Sequence, residues 1–202
     1  SITTINKVKS LISDNVSEFR RSEFVGPTIS SELLWKGLQA IIFALISILI
    51  YIWLRFEWQF GFGAVVALAH DVIFTLGVLS LLKIDFSLSS IAAILTIAGY
   101  SINDSVVIFD RIRENLRKYK KLDLPDLFNI SINNTLSRTI MTSLTTLIAL
   151  ICLYLFGGEV IRPFAFAMIV GVIIGTYSSI FIAVPTLLVF KFRPQEDDNK
   201  LI

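Results

Sequence analysis

The chain has 202 residues, of which 54% are hydrophobic and 17% charged, with a mean hydropathy of +0.75. Soluble domains run near 25% charged, so this composition excludes an ordinary water-soluble domain and points to an integral membrane protein. A net charge of +2 is too small to suggest a nucleic-acid-binding surface, and a single cysteine, Cys152, excludes an intrachain disulfide or a multi-cysteine metal site.

The chain starts at Ser1, without an initiator methionine, and residues 1–33 are polar and mixed. They read as the last part of a water-facing domain that begins upstream, so the sequence is expected to be a fragment. Ile5, Val8, Leu11 and Ile12 recur at helical spacing and predict a short amphipathic helix over 3–15. A strand over 16–25 is expected next, broken by Val25-Gly26-Pro27, with Ser30 or Ser31 as N-cap of the helix that follows.

Five apolar runs are long enough to cross a hydrocarbon core, which takes roughly 20 helical residues. They lie at about 35–54, 58–82, 86–109, 136–156 and 162–190. Barrel strands are shorter and alternate in polarity, and these runs do not, so the fold class is an all-α transmembrane helical bundle. Short connections at Arg55–Glu57, Lys83–Asp85 and Gly157–Arg162 make sequential spans antiparallel neighbours. The longer stretch 110–135 is expected to be a loop. With Arg111, Arg113, Arg117, Lys118, Lys120 and Lys121, and Arg138 just beyond, the positive-inside rule places it in the cytoplasm. The tail 191–202, with Lys191, Arg193 and Lys200, falls on the same side, which leaves the N-terminal piece outside. Cys152 lies in an apolar run and reads as a core packing residue.

Polar groups inside these spans carry the functional signal. A carboxylate at membrane depth costs roughly 2.5–3.5 kcal/mol on insertion scales, so a chain that keeps one there usually uses it. On the third span Thr96, Tyr100, Asn103 and Asp104 share one helix face, with Gly99 beside them to admit a neighbour. On the fourth span Asn134, Arg138, Thr142, Thr145 and Thr146 also share a face. Asp104 and Arg138 are both near the cytoplasmic ends of antiparallel spans, so the two stripes are expected to face each other and the two charges to pair. Pairing favours the charged carboxylate, and separation favours its protonation, which is the behaviour of a gated proton carrier. A static ion pair, or an Arg138 that snorkels to headgroups, is the structural alternative. His70 and Asp71 sit mid-way along the second span, deeper than Asp104 by an estimated one and a half to two turns. They read equally as a hydrogen-bonded structural pair or as a second relay station. In the last span Ala167, Gly171, Gly175, Ser179 and Ala183 form a small-residue file, with Gly171 and Gly175 as a GxxxG helix-packing site.

These segments resemble the SecF family of protein-export membrane subunits, within the resistance–nodulation–division (RND) superfamily. The resemblance is carried by VGP at 25–27, YIWLRFEWQF at 51–60, HD at 70–71, GYSINDSVVIFDRIREN at 99–115 and LSRTIMTSLTT at 136–146. It implies six spans in the whole protein, of which five are present here after the end of an α+β periplasmic domain. It also implies a multi-pass protein of the bacterial inner membrane. In that reading the proton motive force helps to draw unfolded proteins across the membrane after the SecYEG channel, with SecD and YajC as partners. The family's membrane-embedded Asp then corresponds to Asp104 and its Arg to Arg138, and the polar groups read from the spans themselves add Tyr100, Asn103, Thr142 and Asp71 as supporting residues. No enzymatic activity, metal or cofactor is implied beyond protons as the coupling ion. An RND-type small-molecule exporter shares the fold and the proton chemistry. An intramembrane aspartyl protease is remote, because it needs two carboxylates in hydrogen-bonding reach.

Overall fold

A computed structural model describes residues 27–84 and 88–190, with side chains over 35–84 and 89–190. The expected helix at 3–15, strand at 16–25 and tail at 191–202 lie outside the described residues. The chain divides into two units, residues 1–39 and 40–202, and the second holds the side-chain contacts described below. The elements are α1 (Pro27–Arg55), α2 (Trp58–Leu81), α3 (Leu88–Lys118), α4 (Leu124–Phe156) and α5 (Arg162–Ser178). A π-helical turn (Ser179–Ala183) then leads into α6 (Val184–Val189). Five stretches are long and apolar enough to span a membrane: Trp35–Arg55, Trp58–Leu81, Ser89–Lys118, Leu124–Phe156 and Arg162–Val189.

Two boundaries differ from those expected. The helix of the first span begins at Pro27, so Ser30 and Ser31 lie inside it rather than capping it. Proline suits a first helical turn because the missing N–H would have no partner there. The stretch 110–135 is not a loop: α3 runs on to Lys118 and α4 starts at Leu124, leaving only 119–123 between them. Apolar residues keep both extensions helical. Ile112 and Leu116 on one side, and Leu127 and Phe128 on the other, are buried against each other's surroundings in a single cluster. The basic residues are carried on the outside of this helical hairpin.

Helix ends follow local chemistry. At the end of α2 the Lys83 amide bonds to Ser80 O at 3.1 Å and the Ile84 amide to Leu79 O at 3.0 Å. This is a Schellman closure, and it holds Lys83 at φ 54, where glycine is the usual occupant. The turn after α4 meets the same demand with Gly158 at φ 78.

The interior is layered along the spans. One apolar cluster lies at the Arg55–Trp58 end, where Phe60 and Phe109 pack edge-on with ring centroids 5.2 Å apart. A second, built from Leu79, Ala93, Ile97, Leu150, Ala167, Met168 and Val172, lies toward the other end. Between them α2, α3, α4, α5 and the π turn each contribute buried polar side chains, including Asp71, Ser101, Asp104, Thr139, Ser143, Ser178 and Ser179. In lipid, helix association depends on close packing more than on a hydrophobic drive, and small residues supply it. A Cβ at Gly171 would meet Ile97 side-chain carbons, and one at Gly63 would stand 2.9 Å from the Ala183 carbonyl oxygen. Cys152, expected in the core, is exposed on the outer side of α4.

The π turn has a local cause. Pro185 has no N–H to give to the carbonyl of Phe181, four residues earlier, so the ladder is already broken there. The wider turn just before it keeps the chain helical and sets Ser179 and Ala183 inward, both fully buried. Such π segments recur at functional sites.

Candidate functional site

The polar layer holds two buried carboxylates. Asp104, on α3, is 7% exposed. Its Oδ1 accepts a hydrogen bond from Thr139 of α4 at 3.2 Å, and its Oδ2 is buried without a hydrogen-bond partner. Ser179 of the π turn approaches the same carboxylate, but its hydroxyl donates to Thr176 O at 3.0 Å. Asp71, on α2, is 0% exposed. It accepts from Ser101 at 2.5 Å and Ser178 at 2.8 Å, and His70 Nδ1 lies 3.1 Å from its other oxygen.

The expected pairing of Asp104 with Arg138 is not present: among the described residues no ion pair within 4.0 Å joins them, and Arg138 lies on the exposed side of α4. It is near enough to act on Asp104 through space. The next residue, Thr139, makes the contact. The inward face of α4 is Ser131, Thr135, Thr139 and Ser143, all buried, at strict four-residue spacing. Asn134, Arg138, Thr142 and Thr145 face outward. Asn103 and Thr96 on α3 are exposed as well, and a Cβ at Gly99 would meet nothing within 4 Å. Of the expected supporting groups, Tyr100 and Asp71 are in the layer; Asn103 and Thr142 are not.

Hydroxyls connect the layer. Tyr100 donates to Ser143 at 3.2 Å, Ser143 and Thr176 lie 2.6 Å apart, and Thr176 donates to Val172 O at 2.7 Å. Nearer the 119–123 turn, Asn115 donates to Ser131 at 2.8 Å. Gly175 gives Asp71 room, since a Cβ there would stand 3.3 Å from Ser101 Cβ and 3.7 Å from Asp71 Oδ2. Asp71 also lies nearer the depth of Asp104 than expected. It meets Ser101, three residues from Asp104 on the same helix, a rise of about 4.5 Å or just under one turn. Each carboxylate is bonded to hydroxyls and not to the other, so the arrangement lacks the shared-proton pair of an aspartyl protease.

At the Asp110 end of the spans two charge contacts tie elements together, Arg55 with Asp110 at 3.2 Å and Arg113 near Glu57 at 4.0 Å, while Arg111 pairs with Glu114 within α3 at 2.6 Å.

The family model for the protein export membrane protein SecD/SecF, C-terminal region, matches residues 5–193. The chain belongs to the SecD/SecF family. It is similar to the protein translocase subunit SecF of Rickettsia rickettsii, 57% identical over 176 residues, covering 87% of this chain and 57% of that protein. Similarity to the SecF subunit of Rickettsia bellii (strain OSU 85-389) is 54% over 189 residues, covering 92% of this chain and 62% of the relative. The chain thus spans about three fifths of the length of the curated relatives it matches. Among solved structures it resembles SecDF of Thermus thermophilus, described as a translocon-associated membrane protein. That match has a TM-score of 0.85 and 45% identity, and covers 95% of this chain and 27% of that one. A SecDF structure in a super-membrane-facing form matches with a TM-score of 0.75 and 40% identity, covering 95% of this chain and 26% of that one. The five apolar helices are therefore those of a SecD/SecF-type membrane protein, and the two carboxylates are buried among them.

Proposed function

We propose that this chain is the membrane core of a SecF subunit that works with SecD to couple inward proton movement to protein translocation across the bacterial inner membrane. In this reading it acts beside the SecYEG channel, with the 119–123 turn and the C-terminus cytoplasmic and the N-terminal piece periplasmic. The proton is the only coupling species, and the cargo is an unfolded exported protein.

The observation that carries the proposal is Asp104: a carboxylate within a span, bonded through one oxygen to Thr139, with the other oxygen buried and unpaired. Such a group takes or loses a proton according to which partners the surrounding helices present. Arg138 and Thr139 are consecutive on α4, so they project about 100° apart around its axis. A rotation of α4 of that order exchanges a hydroxyl for a guanidinium beside Asp104. Arrival of Arg138 favours the charged carboxylate, and its departure favours the protonated one. Small residues along α5 and the π turn leave the packing surfaces smooth enough for such repacking.

The test is Asp104→Asn in the full-length subunit assembled with SecD. Export into inverted membrane vesicles should lose its stimulation by the proton gradient while the complex still assembles. Undiminished gradient-stimulated export would sink the proposal.

A further inference from the structure

Asp71 is the point where three elements converge. Ser101 of α3 and Ser178 of α5 both donate to its Oδ2, and His70 Nδ1 stands 3.1 Å from Oδ1. Among the described residues His70 is its only ion-pair partner. The titratable groups around the pair are few. Tyr177 of α5 has its ring centroid 6.4 Å from that of His70, and Asp104 of α3 lies three residues past Ser101. From α4 the layer receives Thr139 and Ser143, and from the π turn Ser179, none of them charged. One turn along α2, Thr75 adds a fully buried hydroxyl without a hydrogen-bond partner.

A scaffold acceptor at this position needs no charge, since an Asn offers the same oxygen without the cost of burying a carboxylate. What an Asn lacks is the capacity to take a proton from His70. The His70 side chain is 33% exposed, so part of the ring lies on the outside of the helix packing, and Nδ1 faces Asp71.

We propose that His70 and Asp71 form a second proton station, just under one turn from Asp104 on the side away from Asp110, and that the two stations are coupled. The idea rests on the proton-coupled reading of Asp104. The step balances: a proton binds Nε2 of His70, the Nδ1–H bond breaks as an Oδ1–H bond forms on Asp71, and the ring is left neutral. Coupling follows from charge. Two carboxylates buried in one low-dielectric layer resist being ionised together, so protonation of one favours ionisation of the other.

The test uses the full-length subunit assembled with SecD in proteoliposomes, comparing His70→Gln, Asp71→Asn, Asp71→Glu and Asp104→Asn with the wild type. Gradient-driven export is followed across the neutral pH range, and the carboxyl infrared band of Asp104 is titrated in parallel. His70→Gln and Asp71→Asn should each lower gradient-driven export about tenfold or more and flatten its dependence on pH. Both should displace the Asp104 titration, and Asp71→Glu should recover part of the pH dependence. Wild-type pH profiles in both variants, with Asp104→Asn inactive, overturn the second station and leave the first. Normal export in Asp104→Asn overturns the proton reading itself. Should Asp71→Asn fail to assemble, His70→Gln decides alone, and an unchanged profile there overturns the proposal.

Discussion

Gly171 offers the sharpest test of how the bundle is packed. A Cβ at this position would come within 2.9 Å of Ile97 Cγ2 and closer still to Cδ1 and Cγ1, and Ile97 is itself 1% exposed. Forcing a methyl into such a site costs about 1–3 kcal/mol in displaced side chains. Replacing glycine by alanine in a helix returns about 1 kcal/mol of intrinsic preference. Gly171→Ala should therefore destabilise the bundle by about 1 kcal/mol net, the difference between those two effects. Gly99→Ala is the control: it faces outward with nothing within 4 Å, so only the favourable part remains. The two variants should differ by about 2 kcal/mol in SDS-induced unfolding of the full-length subunit, followed by circular dichroism. In an Ile97→Ala background the Gly171→Ala penalty should vanish, because the atoms it strikes are gone. Equal effects of Gly171→Ala and Gly99→Ala, or no coupling to Ile97, would refute the close approach of α5 to α3.

Three further outcomes follow from the same geometry. Lys83→Gly should stabilise the fold by about 0.5–1 kcal/mol, because it relieves a side chain from a left-handed backbone position; an unchanged unfolding midpoint would count against the Schellman closure. Asn115→Ala leaves Ser131 without its buried donor and should cost about 1–3 kcal/mol, whereas Thr145→Ala, exposed and bonded to its own helix, should stay within about 0.5 kcal/mol. With Cys152 replaced by alanine, a cysteine placed at Lys120 should react with impermeant reagents only from the cytoplasmic side, and labelling from outside would reverse the proposed topology.

The spans were legible in the sequence because twenty-residue apolar runs have few alternatives. Their extensions were not. Past Asp110 the helix is polar on most sides, and only the spacing of Ile112 and Leu116, answered by Leu127 and Phe128, signals that it continues. The face of α4 was misread for a chemical reason. A threonine hydroxyl in a helix satisfies itself on a carbonyl one turn back. Thr142 bonds Arg138 O, Thr145 bonds Met141 O and Thr146 bonds Thr142 O, and Thr96 on α3 does the same with Ala92 O. A threonine stripe can thus face lipid at little cost, so hydroxyl content alone does not mark the interior. Size does. The buried face, Ser131-Thr135-Thr139-Ser143, repeats small residues every four positions, and the small file of α5 across the layer had the same spacing. The depth of Asp71 is overestimated from the sequence because the helix ends used as reference are not level: Glu57, beside Trp58, approaches Arg113, three residues past Asp110. The hydroxyls that hold it, Ser101 and Ser178, come from two other helices and carry no local pattern that marks them.

Asp104 is the residue proposed to carry the coupling proton. Its most direct test is proton flux into proteoliposomes that hold the full-length subunit with SecD, measured with a pH-sensitive dye for wild type and Asp104→Asn. Wild type should show gradient-driven flux and the variant none above background, with both complexes assembled to the same level. Equal flux in the two would contradict that role.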